Sequence, residues 1–255
     1  MVLIAGLLGL LIGSFLNVVV WRLPRGESLS HPGSHCPGCG HAIRPRDNIP
    51  VLSWLLLKGR CRDCGTRISG RYPLVELGTG IAFSLTAAWV GWSVLLPFAL
   101  WFVAAGIALV LIDVEHHRLP NALTLSTYLV VLTGYAVTAV VESQGPAFLR
   151  AVAGGVALAM AYGLLALFFP RGMGWGDVKL AASLGTVMAW SSWGVLVVGG
   201  FGAFLLGAIW GIVSMLAGRA GRKSALPFGP FMIVAAVLAV AWGQAAADWY
   251  ADLLI

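Results

Sequence analysis

Charge is what this sequence has least of. Only 10% of its 255 residues are Asp, Glu, Lys or Arg, whereas a soluble domain carries about 25%. With 59% hydrophobic residues and a mean hydropathy of +0.90, the chain is excluded from the soluble globular and the disordered classes. Cysteine is equally sparse: four residues, all between positions 36 and 64, which excludes a disulfide-rich secreted module. Gly-x-Ser-x-Gly and His-Glu-x-x-His do not occur, nor does a strand–helix–strand pattern around Gly-x-Gly-x-x-Gly. Fixed-period repeats and low-complexity tracts are also missing.

What is present is a succession of apolar runs of about 20 residues, the length that crosses a bilayer as a helix. They fall near 1–21, 73–91, 94–113, 119–140, 149–169, 178–190, 194–216 and 229–247. The expectation is an all-α polytopic membrane protein of about eight transmembrane helices embedded in the lipid bilayer. The sixth run is short and is expected to tilt, or to form a compact hairpin with the seventh through Trp190-Ser191-Ser192-Trp193. No basic residue precedes the first run, and Arg22 and Arg25 follow it, the reverse of a cleavable signal peptide.

Eight spans place both termini on one side. The stretches facing the other side, 22–72, 114–118, 170–179 and 217–228, hold 15 of the 16 basic residues; only Arg150 lies opposite. By the positive-inside rule those stretches are expected in the cytoplasm and both termini outside. The net charge of +6 then reflects topology, and no nucleic-acid partner is expected, because the basic residues are spread over membrane-edge loops. Three parts are expected: a first transmembrane helix (1–21), a polar cytoplasmic insert (22–72) and a transmembrane bundle (73–255).

The insert has about 50 residues, too few for a sizeable apolar core, so it needs a staple. Cys36-Pro37-Gly38-Cys39 and Cys61-Arg62-Asp63-Cys64 supply one. Two C-x-x-C knuckles match a tetrahedral four-thiolate zinc site, and Gly40 and Gly65 free the backbone to turn after each knuckle. Two disulfides or an iron–sulfur cluster are the competing readings; a reducing cytoplasm disfavours the disulfides. Such a zinc ribbon is structural and names no activity by itself.

Carboxylates at membrane depth point to function. Asp113 closes one apolar run and Asp177 opens another, both at the expected cytoplasmic face. Two carboxylates from different helices can share a proton and activate one water between them, the minimum for aspartic proteolysis. Asp177 stands in Gly174-Trp175-Gly176-Asp177-Val178-Lys179, where glycines permit bending and close approach. A helix-capping role for Asp177 remains open. Lys179 either steadies the catalytic region or snorkels at the interface. Glu115, beside His116, His117 and Arg118, reads as a solvated interfacial charge.

These residues resemble the bacterial type IV prepilin peptidases, membrane aspartic proteases with a Gly-x-Gly-Asp signature. The likeness covers nearly the whole chain. It includes Gly13-Ser14-Phe15-Leu16-Asn17, Arg22-Leu23-Pro24, both knuckles, Asp47-Asn48-Ile49-Pro50 and Ser53-Trp54-Leu55. It continues through Ile68-Ser69, Arg71-Tyr72-Pro73-Leu74-Val75-Glu76, Asp113, Gly174 to Lys179, and Pro227-Phe228-Gly229-Pro230. The resemblance implies an enzyme of the bacterial inner membrane. Its task would be to cut the basic leader from prepilins and type II secretion pseudopilins, after a glycine, with Asp113 and Asp177 as the catalytic pair. In many members with the cysteine insert it also implies methylation of the new N-terminus from S-adenosylmethionine. The residues give that second step no site of its own.

Two other classes compete. An ion- or proton-coupled carrier would use Asp113 and Asp177, but its polar groups belong near the midplane, not at one edge. A membrane-anchored zinc-ribbon binding module leaves both aspartates without purpose. A presenilin-like protease leaves the cysteines unexplained, and a prepilin peptidase lacking the methyltransferase step is a further alternative.

Overall fold

The structure is a computed structural model, and it describes residues 1–170, 172–218 and 226–253. The basic residues Arg171, Arg219, Arg222 and Lys223, counted above toward the cytoplasmic side, lie outside the described residues.

The described residues are helical, with no strand longer than an isolated bridge. In order they form α1 (Val2–Arg22), α2 (Leu52–Leu56), α3 (Arg71–Val90), α4 (Leu96–His116), α5 (Asn121–Val141), α6 (Gly145–Phe168), α7 (Trp175–Ser191), α8 (Trp193–Leu216) and α9 (Gly229–Asp252). Seven of these are long and apolar enough to cross a membrane. The remaining long helix, α7, has 17 residues and follows the short sixth run. At 1.5 Å per residue it measures about 25 Å, near the lower limit for a span. It is also the helix best shielded by protein, with Leu180, Ala181, Ser183, Leu184, Thr186, Met188 and Ala189 all at most 2% exposed.

Helix ends follow local chemistry more than hydropathy. The apolar run of α4 ends at Asp113, yet the helix continues to His116 and closes only where His117 turns left-handed at φ 49°. Pro120 then sets the entry to α5, its carbonyl receiving the N–H groups of Leu123 and Thr124 at 3.0 Å each. The α7–α8 connection is a single residue, Ser192, whose hydroxyl caps α8 by accepting the Val195 N–H at 3.1 Å. Helix α9 runs past its apolar stretch to Asp252.

Packing divides the chain into two compact units, Met1–Ala108 and Leu109–Ile255, so the boundary falls inside α4. In the first unit α1 packs on α3 through glycines, since a Cβ on Gly9 or Gly13 would meet α3 backbone at 2.7 Å. An apolar cluster of Ala5, Phe83, Ala87 and Leu96 closes the opposite end of this pair. The second unit is built around α7, which contacts α5, α6, α8 and α9. Gly154 and Gly155 of α6 and Gly185 of α7 let those two backbones meet; a Cβ on Gly185 would lie 2.7 Å from the Gly154 carbonyl. Small-residue interfaces suit membrane helices, where close van der Waals packing replaces the hydrophobic effect.

Candidate functional sites: a four-cysteine centre and a buried aspartate pair

In the first unit the insert folds as two copies of one turn. Cys36 donates its N–H to the His41 carbonyl at 2.9 Å, and Cys61 donates to the Thr66 carbonyl at 2.8 Å. Gly40 and Gly65 donate back to the carbonyls of Cys36 and Cys61, at φ 73° and 71°. A side chain in this left-handed region is strained, so both turns require glycine. Seven residues beyond each leading cysteine the pattern recurs again: Ile43 N–H to Ser34 O at 2.9 Å, Ile68 N–H to Gly59 O at 2.8 Å.

The turns bring Cys36, Cys39, Cys61 and Cys64 together, all four sulfurs within 4.8 Å of one another. None is in a disulfide, and Cys36 Sγ and Cys64 Sγ are 3.7 Å apart. A tetrahedron of metal–sulfur bonds of about 2.3 Å has edges of about 3.8 Å, so the four thiols fit a metal ion. The Thr66 hydroxyl, 3.1 Å from Cys64 Sγ, pulls that thiol down to about 6. Cys39, despite a His41 backbone contact that favours its thiolate, is pushed up to about 12 by desolvation and its three sulfur neighbours. Metal binding to a four-thiolate site releases thiol protons, so its occupancy depends on pH. Around them, Arg62 grips Asp47 with Nε and Nη2 contacts of 2.7–3.0 Å, and Arg44 pairs with Asp63 at 3.0 Å. The Arg62 guanidinium holds the Asp47 carboxyl below the usual carboxylate range.

The second unit holds the aspartates. Asp113, 5% exposed, lies in the last turn of α4; Asp177, 9% exposed, lies in the first turn of α7. Asp113 Oδ2 accepts the N–H of Gly229, which opens α9, at 2.9 Å. Asp177 Oδ2 accepts the N–H of Gly174, the N-cap of α7, at 2.9 Å. Each carboxylate is thus fixed through one oxygen by a backbone amide at a helix N-terminus, where negative charge is favoured. The helix starts that carry Asp177 and the Gly229 amide both approach Leu119. The capping contact considered for Asp177 is present; it occupies one oxygen and leaves the other.

Leu119 fills the space between the helix starts. A Cβ on Gly176 would meet Leu119 Cβ at 2.9 Å, and one on Gly229 would meet Leu119 Cδ2 at 3.4 Å and Asp113 Oδ2 at 2.9 Å. The close approach in the Gly-x-Gly-Asp segment is therefore at Gly176. Gly174, extended at φ −89°, has only ordinary contacts there. Lys179 is exposed and donates to Asn121 Oδ1 at 2.7 Å, tying α7 to the start of α5. Glu115 is exposed, 4.0 Å from His116 Nε2. Gly229, Leu119 and Asn121 received no role from the sequence. The one available signal was the Gly-Pro pair opening the last apolar run.

Comparison with known proteins supplies two family matches. Residues 7–90 match the bacterial peptidase A24 N-terminal domain, and residues 100–212 match the type IV leader peptidase family. The prepilin leader peptidase/N-methyltransferase of Aeromonas salmonicida is 37% identical over 285 residues, spanning 98% of this chain and 93% of the relative. The protein of that name from Pseudomonas aeruginosa is 36% identical over 263 residues, spanning 93% and 89%. That from Myxococcus xanthus is 40% identical over 220 residues, spanning 85% and 64%. No solved structure matches the chain.

Proposed function

The chain belongs to the type IV leader peptidase family, and from that premise we propose that it cuts prepilin leaders with Asp113 and Asp177 and then methylates the new N-terminus. The observation that carries the peptidase reading is the paired geometry of the aspartates. Two buried carboxylates, on different helices, each have one oxygen fixed by a backbone N–H.

Such a pair holds one proton between its members. The ionised member takes a proton from water as the oxygen attacks the peptide carbonyl. The protonated member donates to the carbonyl oxygen, and the resulting tetrahedral centre collapses as the amine leaves with a proton. Amides that already hold both carboxylates in place spare the reorganisation that free side chains would need. Gly174 and Gly176 shape the α7 entry, and Lys179 fastens it to Asn121.

The four cysteines hold a structural zinc ion, supported by the fit of their spacing to a tetrahedral site. S-adenosylmethionine supplies the methyl group for the second step. The basic bias of the loops supports an inner-membrane protein with the insert and the aspartates at the cytoplasmic face and both termini outside. Prepilins and type II secretion pseudopilins are the substrates. Incubating the purified protein in detergent with a prepilin, and measuring leader loss by mass, tests the reading; an intact leader overturns it.

A further inference from the structure

Helix α2 is short, yet it has two distinct faces. Ser53, Trp54 and Leu57 face inward, onto a cavity between the insert and α1. The Ser53 hydroxyl donates to the Arg46 carbonyl at 3.0 Å, and Trp54 Nε1 donates to the Ile68 carbonyl at 3.1 Å. Leu52, Leu55 and Leu56, spaced i, i+3 and i+4, form the other face and are 48%, 58% and 71% exposed. Lys58 and Arg60, both exposed, follow at once. Adjoining leucines on one open face mark a surface that meets something apolar.

The register of α1 against α3 says what that is. Asn17 Nδ2 donates to the Tyr72 carbonyl at 3.3 Å, and a Cβ on Gly13 would stand 2.7 Å from the Glu76 α-carbon. Glu76 is therefore level with Gly13, which precedes Trp21 by eight residues, or about 12 Å along α1. Trp21 is 57% exposed, and the Arg25 guanidinium lies 3.8 Å over its ring, a pairing suited to the headgroup level. Glu76 is buried, and its Oε2 accepts the N–H of Val51, the residue before α2, at 2.7 Å. Helical side chains lean toward the start of their helix, but that lean is shorter than the drop from Trp21 to Glu76. The bond thus draws the entry of α2 to the bilayer side of Trp21. The chain then returns: the Ile68 N–H reaches the Gly59 carbonyl at 2.8 Å, shortly before α3 begins at Arg71.

We propose that α2 is an interfacial anchor, with Leu52, Leu55 and Leu56 in the leaflet around α1 and α3 and with Lys58 and Arg60 on anionic headgroups. This rests on α1 and α3 crossing the bilayer, and on neither the peptidase nor the methylation reading. Interfacial helices sink an apolar face about 5–10 Å into the headgroup boundary, and basic neighbours add attraction to anionic lipid. Both parts are present in α2 and the residues that follow it.

The test uses the full-length protein in vesicles holding a phospholipid with a diazirine on its acyl chain. After irradiation, trypsin cuts at Arg25, Arg46 and Lys58, so residues 47–58 carry α2 and residues 26–46 serve as a control from the same insert. Residues 47–58 should hold at least about fivefold more lipid adducts than residues 26–46, because only the former reach the acyl region. Equal labelling overturns the proposal and leaves the leucines to a second copy or another protein. Leu55→Gln with Leu56→Gln should lower the adducts to the control level while thermal unfolding in detergent stays that of the wild type. Adducts undiminished in this variant overturn the leucine face as the contact. Phosphatidylglycerol vesicles should label α2 more than phosphatidylcholine vesicles do. Lys58→Gln with Arg60→Gln, read on residues 47–62, should abolish that difference. Equal labelling of the wild type in the two lipids overturns the role of the cations.

Discussion

Gly229 donates its backbone N–H to Asp113 Oδ2 across 116 positions of sequence, and its α-carbon leaves no space for a side chain there. A methyl group at this position would stand 2.9 Å from the carboxylate oxygen, closer than carbon and oxygen tolerate. Gly229→Ala should therefore displace Asp113 and lower prepilin cleavage by about 100-fold, as small misplacements of a reacting group do. Cleavage rates in detergent, with circular dichroism to confirm helicity, check it. Wild-type cleavage would mean that the Gly229 amide is dispensable.

Asp113→Asn and Asp177→Asn preserve size and the accepted N–H but cannot carry the exchanged proton. Each should reduce cleavage by about 10²–10⁴-fold, the range for a lost acid or base, with little further loss in the double variant. Glu115→Gln should keep most activity, since Glu115 is exposed at the helix end. Loss in Glu115→Gln with activity in Asp113→Asn would transfer the role to Glu115. Full activity in Asp177→Asn would reduce that residue to a helix cap.

Local features were legible in the sequence. The cysteine knuckles depend on contacts within nine residues, so spacing and glycine position were enough to anticipate the turns that structure gives φ values of 73° and 71°. The helices followed from apolar runs, though α4 overran its run because Val114, Glu115 and His116 continue a helix until His117 turns left-handed. Long-range features were not legible. Asp113 and Asp177 could be placed at helix ends, but nothing local announced that Gly229 would hold one of them. The backbone of Val51, left-handed at φ 63°, was hidden for the same reason: Glu76, which accepts its N–H at 2.7 Å, lies 25 residues away on α3.

Metal binding can be separated from the membrane bundle. Purified protein should contain about one zinc ion per chain. Cys36→Ser should lose most of it and unfold the insert, because metal binding and folding are one process in so small a segment. Proteolysis between residues 22 and 72 should accelerate, while the helix content of the second unit persists. Elemental analysis and limited proteolysis read both effects. Full zinc content in Cys36→Ser, or two disulfides in the wild type, would exclude the four-thiolate centre.

Topology turns on α7. Its 17 residues fall just short of the length of the other long helices, and the number of crossings is odd or even according to whether it spans. Eight crossings require that reporters fused after Arg44 and at the C-terminus report opposite sides of the membrane. The C-terminal reporter should be active outside the cytoplasm and the Arg44 reporter inside it. Both on one side would leave α7 embedded without crossing.

Arg150, the one basic residue outside the stretches expected in the cytoplasm, closes the far end of that same helix. Its Nε donates to the Ala189 carbonyl at 2.7 Å, and Nη2 donates to the carbonyls of Trp190 and Ser191. These are C-terminal groups of α7 that have no partner within the helix, and a cation also suits the negative end of the helix dipole. The planar fork reaches all three at once, which an ammonium cannot do. Arg150→Gln should lower unfolding stability by about 1–3 kcal/mol, the scale of hydrogen bonds from a charged donor. Arg150→Lys should fall between Gln and the wild type, because it keeps the charge and loses the fork. Thermal unfolding in one detergent, with cleavage measured below the transition, distinguishes a stability effect from a catalytic one. An unchanged transition in Arg150→Gln would show that water or lipid headgroups satisfy those carbonyls equally well.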